Sequence, residues 1–247
     1  MKLLKTRMMK AYLIKLSVRI AIFLAVFIFY LYDKEMLLSF ILQPIYAGIN
    51  AMHILWFVFM VMMIKHLFPK EPFTMALLKR EEKQYVAVDN YSKLEVLEFV
   101  QDQNKKAWTV MLVWIIGNGI VGLVYAFDII GQADLFMLTV FYFLCDYICI
   151  LFYCPFQSHI MKNKCCVNCR IYDWGHFMMF TPMIMIKSFY TWSLFFMACI
   201  VLIHWELTYA KHPERFYYGS NKCLQCKNCK DKTCQIKNKI TRRKPSI

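Results

Sequence analysis

The chain has 247 residues, of which 60% are hydrophobic, and it carries a net charge of +14. Ordinary globular chains are roughly 45–50% apolar, so this composition argues against a soluble domain and for apolar surface that faces lipid. A soluble protein this basic would suggest nucleic acid, but most Lys and Arg residues here flank apolar blocks, where they set orientation and meet anionic lipid headgroups. We therefore expect the lipid bilayer, and no nucleic acid, as the partner.

Long apolar blocks predict an all-α integral membrane protein, a helical bundle of about five membrane segments with a range of four to six. A helix needs roughly 20 apolar residues to cross about 30 Å of hydrocarbon, and the blocks lack the alternation that is typical of barrel strands. The predicted bundle covers residues 1–205, with spans at 12–32, 47–67, 108–127, 135–154 and 178–205.

The segments between the spans are polar and differ in character. Polar residues and a proline within 43–50 interrupt the second block, so we expect the piece before them to lie at the membrane interface or to dip partly inward. The polar loop 68–107 has apolar residues at helical spacing near 94–100, which predicts an amphipathic surface helix. Three cysteines lie in the loop 155–177, and four lie in the basic cysteine-rich tail 206–247.

Positive charge orients the spans, because cytosolic loops carry an excess of Lys and Arg. Residues 1–19 contain six such side chains and the 65–106 segment contains eight, whereas the 128–134 link contains none. We therefore predict a multi-pass protein of the cell membrane whose N-terminus is cytosolic, together with the loop 155–177.

The side on which the tail lies depends on the last apolar block. If 178–205 crosses once, the eleven Lys and Arg residues of 206–247 lie outside, against the charge rule. If the block is broken or re-entrant and turns back, the tail is cytosolic. Pro182 and Lys187 make a break conceivable, because proline weakens a helix and a mid-span lysine needs an interior partner. The length of the block opposes two full crossings, while the charge of the tail favours the cytosolic side.

Four polar side chains are predicted near the bilayer midplane, namely Asp146, Lys187, Asn118 and His53. At ~1.5 Å per residue, both Asp146 and Lys187 lie roughly 12–15 Å from the cytosolic interface, so an ion pair between them is predicted. Ionisable residues in a span indicate either a path for ions or protons or a charge-neutralised structural pair, and the structural pair is the simpler interpretation.

The eleven cysteines fall into two classes. Cys145, Cys149, Cys154 and Cys199 lie in or at the edge of predicted spans, where a cysteine behaves as a small apolar residue. The other seven cluster in the polar segments KCCVNC and CLQCKNCKDKTC and are candidate metal ligands: Cys165, Cys166, Cys169, Cys223, Cys226, Cys229 and Cys234.

The spacing in the tail suits a metal, because a C-x2-C turn aims two thiolates at one tetrahedral ion. The pairs Cys223/Cys226 and Cys229/Cys234 could close a four-thiolate zinc site. The C-x2-C-x2-C run also resembles bacterial iron–sulfur ferredoxins over about twelve residues, although that family continues with x3-C-P where this chain has x4-C followed by Gln235. This resemblance implies an iron–sulfur cluster with a fourth ligand from KCCVNC as the alternative cofactor. Disulfide or thiol-exchange chemistry is the remaining interpretation.

No P-loop, nucleophile elbow, zincin or dinucleotide motif occurs in the sequence, so no activity is assigned from motifs. We expect a polytopic membrane protein that carries a cysteine-rich metal site at the membrane surface. One alternative is a small transporter or channel-like protein that uses the Asp146/Lys187 layer. The other is a membrane thiol–disulfide oxidoreductase, which is favoured only if the tail lies outside.

Overall fold

The computed structural model describes residues 6–42, 44–46, 49–68, 85–163, 165, 168–229 and 234–240. Their α-helices are α1 (Arg7–Tyr32), α2 (Lys34–Leu42), α3 (Ala51–Leu67), α4 (Lys93–Ala126), α5 (Gln132–Leu151), α6 (Gly175–Phe180), α7 (Phe189–Lys211) and α8 (Cys234–Ile240). One antiparallel hairpin joins α2 to α3, with strands β1 (Pro44–Tyr46) and β2 (Ile49–Asn50). Short 3-10 turns cover Tyr172–Trp174, Thr181–Met185, Pro213–Arg215, Lys222–Leu224 and Cys226–Asn228, and a π-helical turn covers Phe156–Ile160.

Four helices, α1, α4, α5 and α7, are long and apolar enough to cross a membrane. Their outer faces carry large apolar side chains, such as Ile116 on α4 and Phe196 on α7, which are 61% and 60% exposed. In water such surface would be unfavourable, whereas it is compatible with lipid. The predicted class, a helical membrane protein, is therefore supported, with four candidate membrane helices among the described residues; the predicted number of about five segments is not confirmed. The predicted span over 47–67 corresponds to α3, which is apolar but has only 17 residues.

Helix α4 joins two predicted elements into one. The amphipathic helix predicted in the loop 68–107 and the span predicted at 108–127 form a continuous helix of 34 residues. Ser92 caps its start by accepting a hydrogen bond from the backbone N–H of Glu95, at 3.4 Å. Between this cap and Gly117 the sequence has no glycine or proline, so nothing in it ends the helix at the membrane surface. Residues 69–84 of the predicted loop lie outside the described residues.

Helices α1 and α5 run antiparallel. The ring of Tyr12, near the start of α1, lies 5.8 Å from the ring of Tyr147, near the end of α5. At the other end of the pair, the Tyr30 hydroxyl donates to the Asp134 carboxylate in the first turn of α5. The end of α5 therefore lies at the same end of the bundle as the start of α1.

The last apolar block forms a hairpin instead of one span. A descending leg, residues 172–185, and the ascending helix α7 lie side by side: the Trp174 indole donates to Glu206 Oε1 at 2.8 Å, and the Trp192 indole donates to the Ile184 carbonyl at 3.2 Å. The helical hydrogen bonding is interrupted between them at residues 186–188. The predicted continuous span at 178–205 is thus replaced by its alternative, a broken element that turns back.

The length of the block 178–205 opposes two full crossings, and the hairpin overcomes this in two ways. It begins at Tyr172 and ends at Lys211, beyond both limits of the predicted span. In addition, eight of the fourteen residues of the descending leg are in 3-10 turns, which rise ~2.0 Å per residue instead of ~1.5 Å, so the leg reaches roughly 25 Å. This is close to the ~30 Å of bilayer hydrocarbon.

The described polar segments gather at one end of the bundle, which we call the polar end: residues 85–92, 152–163, 165, 168–171, 212–229 and 234–240 with the start of α1. The backbone of Lys222 donates to the Val86 carbonyl at 2.8 Å, and the backbone of Val88 donates to the Ser220 carbonyl at 2.9 Å. Ile236 of α8 packs in a cluster with Tyr12 of α1. The tail therefore lies at the same end as the N-terminal part of α1, and the turn at 186–188 lies at the opposite end.

This arrangement predicts opposite labelling of two sites in sealed membrane vesicles. A membrane-impermeant maleimide should reach the exposed Cys226 from the side of the N-terminus, and should reach a Lys187→Cys variant only from the other side. Peptide mass spectrometry identifies the labelled residue, and labelling of both from the same side would contradict the hairpin.

Candidate functional site

Asp146 forms an ion pair inside the bundle, but its partner is not the one that the sequence predicts. Its Oδ2 lies 2.8 Å from Nη1 of Arg19 on α1, whose guanidinium carbon also lies 4.0 Å and 3.9 Å from the ring centres of Phe143 and Tyr147. Lys187 is exposed at the turn of the hairpin. The predicted Asp146–Lys187 pair is therefore wrong, because the break at 186–188 moves Lys187 from mid-span to the opposite end of the bundle.

The other two predicted polar residues do not join this layer. Asn118 is buried within α4, and its amide donates to the Trp114 carbonyl at 3.0 Å. His53 lies in the first turn of α3, where its backbone N–H donates to Asn50 and its Nε2 lies 2.6 Å from the hydroxyl of Tyr190. Both are explained by local structure, as a packed amide and a helix cap.

Further titratable residues line a cavity beside Asp146. A polar cavity of about 160 Å³ is lined by Arg19, Asp146, His66, Asp173 and His176, with Tyr12 and Tyr172 beside them. Asp173 is 7% exposed, and its Oδ1 lies 3.7 Å from Nε2 of His66. The sequence YDWGH, residues 172–176, places Asp173 and His176 here.

The two polar cysteine segments come together at the polar end. The side chain of Asn168, between Cys165 and Cys169, donates to the Leu224 carbonyl at 3.4 Å, next to Cys223. Cys169 is buried and Cys226 is exposed, whereas Cys165, Cys223, Cys229 and Cys234 are half-buried. Cys166 lies outside the described residues. Among the residues that are described, no group of three or more His, Cys, Asp or Glu side chains could hold a metal ion.

A second cavity is apolar and has a volume of about 490 Å³. This is within the range of ligand sites, roughly 300–1,000 Å³. It lies between the C-terminal half of α5, the turn at 153–157 and the segment 169–179, and aromatic rings form much of its wall: Trp114, Phe141, Tyr142, Tyr153, Phe156 and Tyr172. Asp146, Tyr172 and Gly175 line both cavities, so the two adjoin each other.

Two cysteines in the wall of this apolar cavity form a pair. The thiol of Cys149, in the last turn of α5, donates a hydrogen bond to the sulfur of Cys154, just beyond the helix end. The backbone N–H of Gln157 also donates to the Cys154 sulfur, at 3.4 Å. We expected both cysteines to be inert apolar residues, because their C-x4-C spacing across a helix end is not a recognised motif. The chain turn after Leu151 brings them together.

A lysine from the distant tail completes the surroundings of Cys154. Lys237 on α8 is 8% exposed, and its ammonium group donates to the Cys149 carbonyl at 2.6 Å and to Gln157 Oε1. The hydrogen bond from Cys149 lowers the pKa of Cys154 below the usual value for a thiol, and the nearby Lys237 charge acts in the same direction against the effect of burial. The surroundings of Cys154 therefore favour its thiolate form over that of Cys149.

The chain matches no known protein family, and neither the curated proteins nor the solved structures include one significantly similar to it. Its chemistry has to be argued from its own residues.

Removing one partner of the Arg19–Asp146 ion pair should destabilise the protein. We expect Arg19→Ala to cost about 1–3 kcal/mol, less than for a fully buried pair because the Asp146 side chain is 31% exposed, since the change leaves its carboxylate without its cation. Unfolding of the purified protein in detergent measures the loss, with the exposed Lys15→Ala on the same helix as the matched control. An Arg19→Asp/Asp146→Arg double variant that recovers part of the stability would confirm the pairing, and a loss no larger than that of Lys15→Ala would contradict it.

The Lys237 ammonium should control how the reactivity of Cys154 depends on pH. A cation stabilises the thiolate, so Lys237→Met should raise the pKa of Cys154 and move the midpoint of its alkylation to higher pH. The rate of iodoacetamide labelling at Cys154 measures this across pH 5–10, roughly the range in which perturbed thiols titrate. Lys211→Met, an exposed lysine at the end of α7, is the control and should leave the profile unchanged.

Proposed function

We propose that the protein is a membrane thiol–disulfide oxidoreductase whose reactive dithiol is Cys149 and Cys154. The observation that carries the proposal is the hydrogen bond between these two thiols in the wall of the 490 Å³ cavity. A large apolar pocket that contains a titratable group with a perturbed environment is the default position for an active site.

The roles of the two cysteines follow from their contacts. The thiolate is the nucleophile in disulfide exchange, so Cys154, with the Gln157 N–H and Lys237 beside it, attacks a sulfur of the substrate disulfide and releases the first substrate thiolate. Cys149 then attacks the Cys154 sulfur, which releases the second substrate thiol and leaves a disulfide between Cys149 and Cys154. The substrate disulfide gains two electrons, and the dithiol loses them.

This proposal differs from the oxidoreductase that the sequence suggests, which used the tail cysteines and an external tail. The hairpin and the charge of the polar end favour a cytosolic position for the dithiol. In the cytosol disulfides are rare and, where they form, are mostly transient and catalytic, as they would be here.

Mild oxidation of the purified protein tests the dithiol. With oxidised glutathione the wild type should form a Cys149–Cys154 disulfide, seen as a linked peptide by mass spectrometry. Cys149→Ser removes the resolving thiol, so it should instead accumulate a mixed disulfide between glutathione and Cys154. Cys145→Ser, which lies in the same cavity wall, is the matched control and should behave as the wild type. Absence of the linked peptide would overturn the proposal.

A second candidate function is a cysteine-rich metal module at the polar end, with zinc or, alternatively, an iron–sulfur cluster. The contact between Asn168 and the Leu224 carbonyl favours it, because it joins the KCCVNC segment to the tail cysteines. Two C-x2-C turns on neighbouring segments are the usual composition of a structural zinc site. The module would be separate from the dithiol, since it uses neither Cys149 nor Cys154.

Metal analysis of the purified protein tests this module. We expect one zinc ion or one cluster per chain, with a broad visible absorption for a cluster, and a reduced content in Cys226→Ser. Cys199→Ser, on α7, is the control and should keep the metal. A protein that contains no metal after purification under reducing conditions would exclude the module and would leave the dithiol proposal unaffected.

A further inference from the structure

The apolar cavity limits which molecule can exchange electrons with the dithiol. Its walls come from helices that face lipid, and Phe141 and Tyr153, two of its lining residues, are 44% and 43% exposed on the surface of the bundle. A water-soluble disulfide such as oxidised glutathione can reach the half-buried Cys154 from the polar end, but it does not fit inside the cavity, because it carries charges that the wall cannot satisfy and burying them would cost several kcal/mol each. The natural occupant is therefore lipid-soluble.

The walls also favour a flat ring. Trp114, Tyr142 and Phe156 form one side of the cavity, with ring centres 4.8 Å and 6.0 Å from that of Trp114. The three rings are tilted or edge-on to one another, at 51° and 75°, and a planar ring in the cavity would add offset-stacked or edge-to-face contacts to them. A saturated acyl chain would fill the same volume but would make no use of the rings, and it could not accept electrons from a dithiol.

We propose that the cavity binds a membrane quinone and that the Cys149/Cys154 dithiol reduces it to a quinol. The inference rests on the proposed dithiol function and adds the electron acceptor. The protein would then transfer electrons from cytosolic thiols to the quinone pool of the bilayer. The cytosolic thiols would reduce the disulfide again after each turnover.

The electrons and protons of the reaction balance with the groups present. The Cys154 thiolate adds to a ring carbon of the quinone, forming a C–S bond, and the electron pair moves to a quinone oxygen. Cys149, as it loses its proton, attacks the Cys154 sulfur; the S–S bond forms, the C–S bond breaks, and its electron pair stays on the ring. The quinone has gained two electrons and needs two protons. Cys149 supplies one of them.

The second proton has a route through the polar cavity. Asp146 and Tyr172 line both cavities, and the Tyr172 hydroxyl lies 3.3 Å from the Tyr12 hydroxyl on α1. His66 and Asp173 lie farther along the same polar cavity. Asp146, which the sequence assigns to a structural ion pair, thus borders the quinone site and connects it with the titratable side chains of the polar cavity.

Anaerobic reduction of a short-chain ubiquinone tests the inference. The full-length protein is reduced, freed of reductant, reconstituted in nanodiscs and mixed with ubiquinone-1, whose ultraviolet absorbance falls as quinol forms. We expect about one quinol per chain, because each chain holds one two-electron dithiol, together with a Cys149–Cys154 disulfide. Cys149→Ser should stop after adduct formation and give a visible thiolate–quinone band, while Cys199→Ser, on α7 and outside the cavity wall, should match the wild type.

Filling the cavity separates the two proposals. Met178 lines the cavity, so Met178→Trp should slow quinone reduction roughly tenfold or more while oxidation by diamide still forms the disulfide, because only the lipid-soluble acceptor needs the space. If the variant does not accumulate, protection of wild-type Cys154 from alkylation by ubiquinone-1 is measured instead.

The outcomes are distinct. A disulfide that forms with diamide but not with ubiquinone-1, or no protection of Cys154 by the quinone, would overturn the quinone site and leave the dithiol function intact. Failure of both oxidants to form the disulfide would overturn both. A stable thioester on Cys154 after incubation with acyl-CoA, without any quinol, would show that the cavity takes an acyl chain and would also exclude the quinone.

Discussion

The return of the last apolar block to the end where it begins is the constraint on which the rest of the structure depends. Inside a bilayer each backbone N–H and C=O must be paired, so a chain can reverse only near an interface or against other protein groups. The segment at 186–188 meets that condition because it lies at the end of the bundle opposite the tail, with Lys187 exposed. Since the chain returns, the described parts of the tail and of the loop after α5 share one end with residues 85–92 and the start of α1, and only there can Lys237 reach the end of α5. A single crossing would separate Lys237 from Cys154 by the thickness of the membrane.

Composition and hydropathy were sufficient to predict the class of the fold and the positions of most helices, because lipid-facing surface requires continuous apolar sequence whatever the packing. They could not predict pairing. Asp146 was assigned to Lys187 by matched depth, yet depth depends on where the chain turns, and Arg19, counted as part of a basic N-terminal segment, is the cation that faces it. Likewise, α4 extends through a predicted loop because no glycine or proline between Ser92 and Gly117 ends the helix. The polar residues in its first turns do not reveal that they belong to the same helix as the span.

The cysteines show the same division between local and long-range information. The spacing of the tail cysteines is evident from the twelve-residue segment 223–234, but their chemistry depends on the geometry in which their sulfur atoms are held. Cys149 and Cys154 have no such signature: one belongs to an apolar helix and the other follows its end, and their hydrogen bond exists only because the chain turns after Leu151. The environment that makes Cys154 a thiolate includes Gln157, three residues away, and Lys237, more than eighty residues away. Sequence reasoning can find the first by looking for turns after a helix, but only a folded chain brings in the second.

Helix α8 has a mechanical consequence. Cys234 is its first residue and Lys237 lies one turn later, so the two side chains move as one rigid piece. Anything that fixes the sulfur of Cys234, whether an ion or a covalent bond, also fixes the ammonium group beside Cys154, and anything that releases it allows that cation to withdraw. A bond or an ion at the half-buried Cys234 would therefore bear on the acidity of Cys154 through the position of a single ammonium group, over a distance of one helical turn.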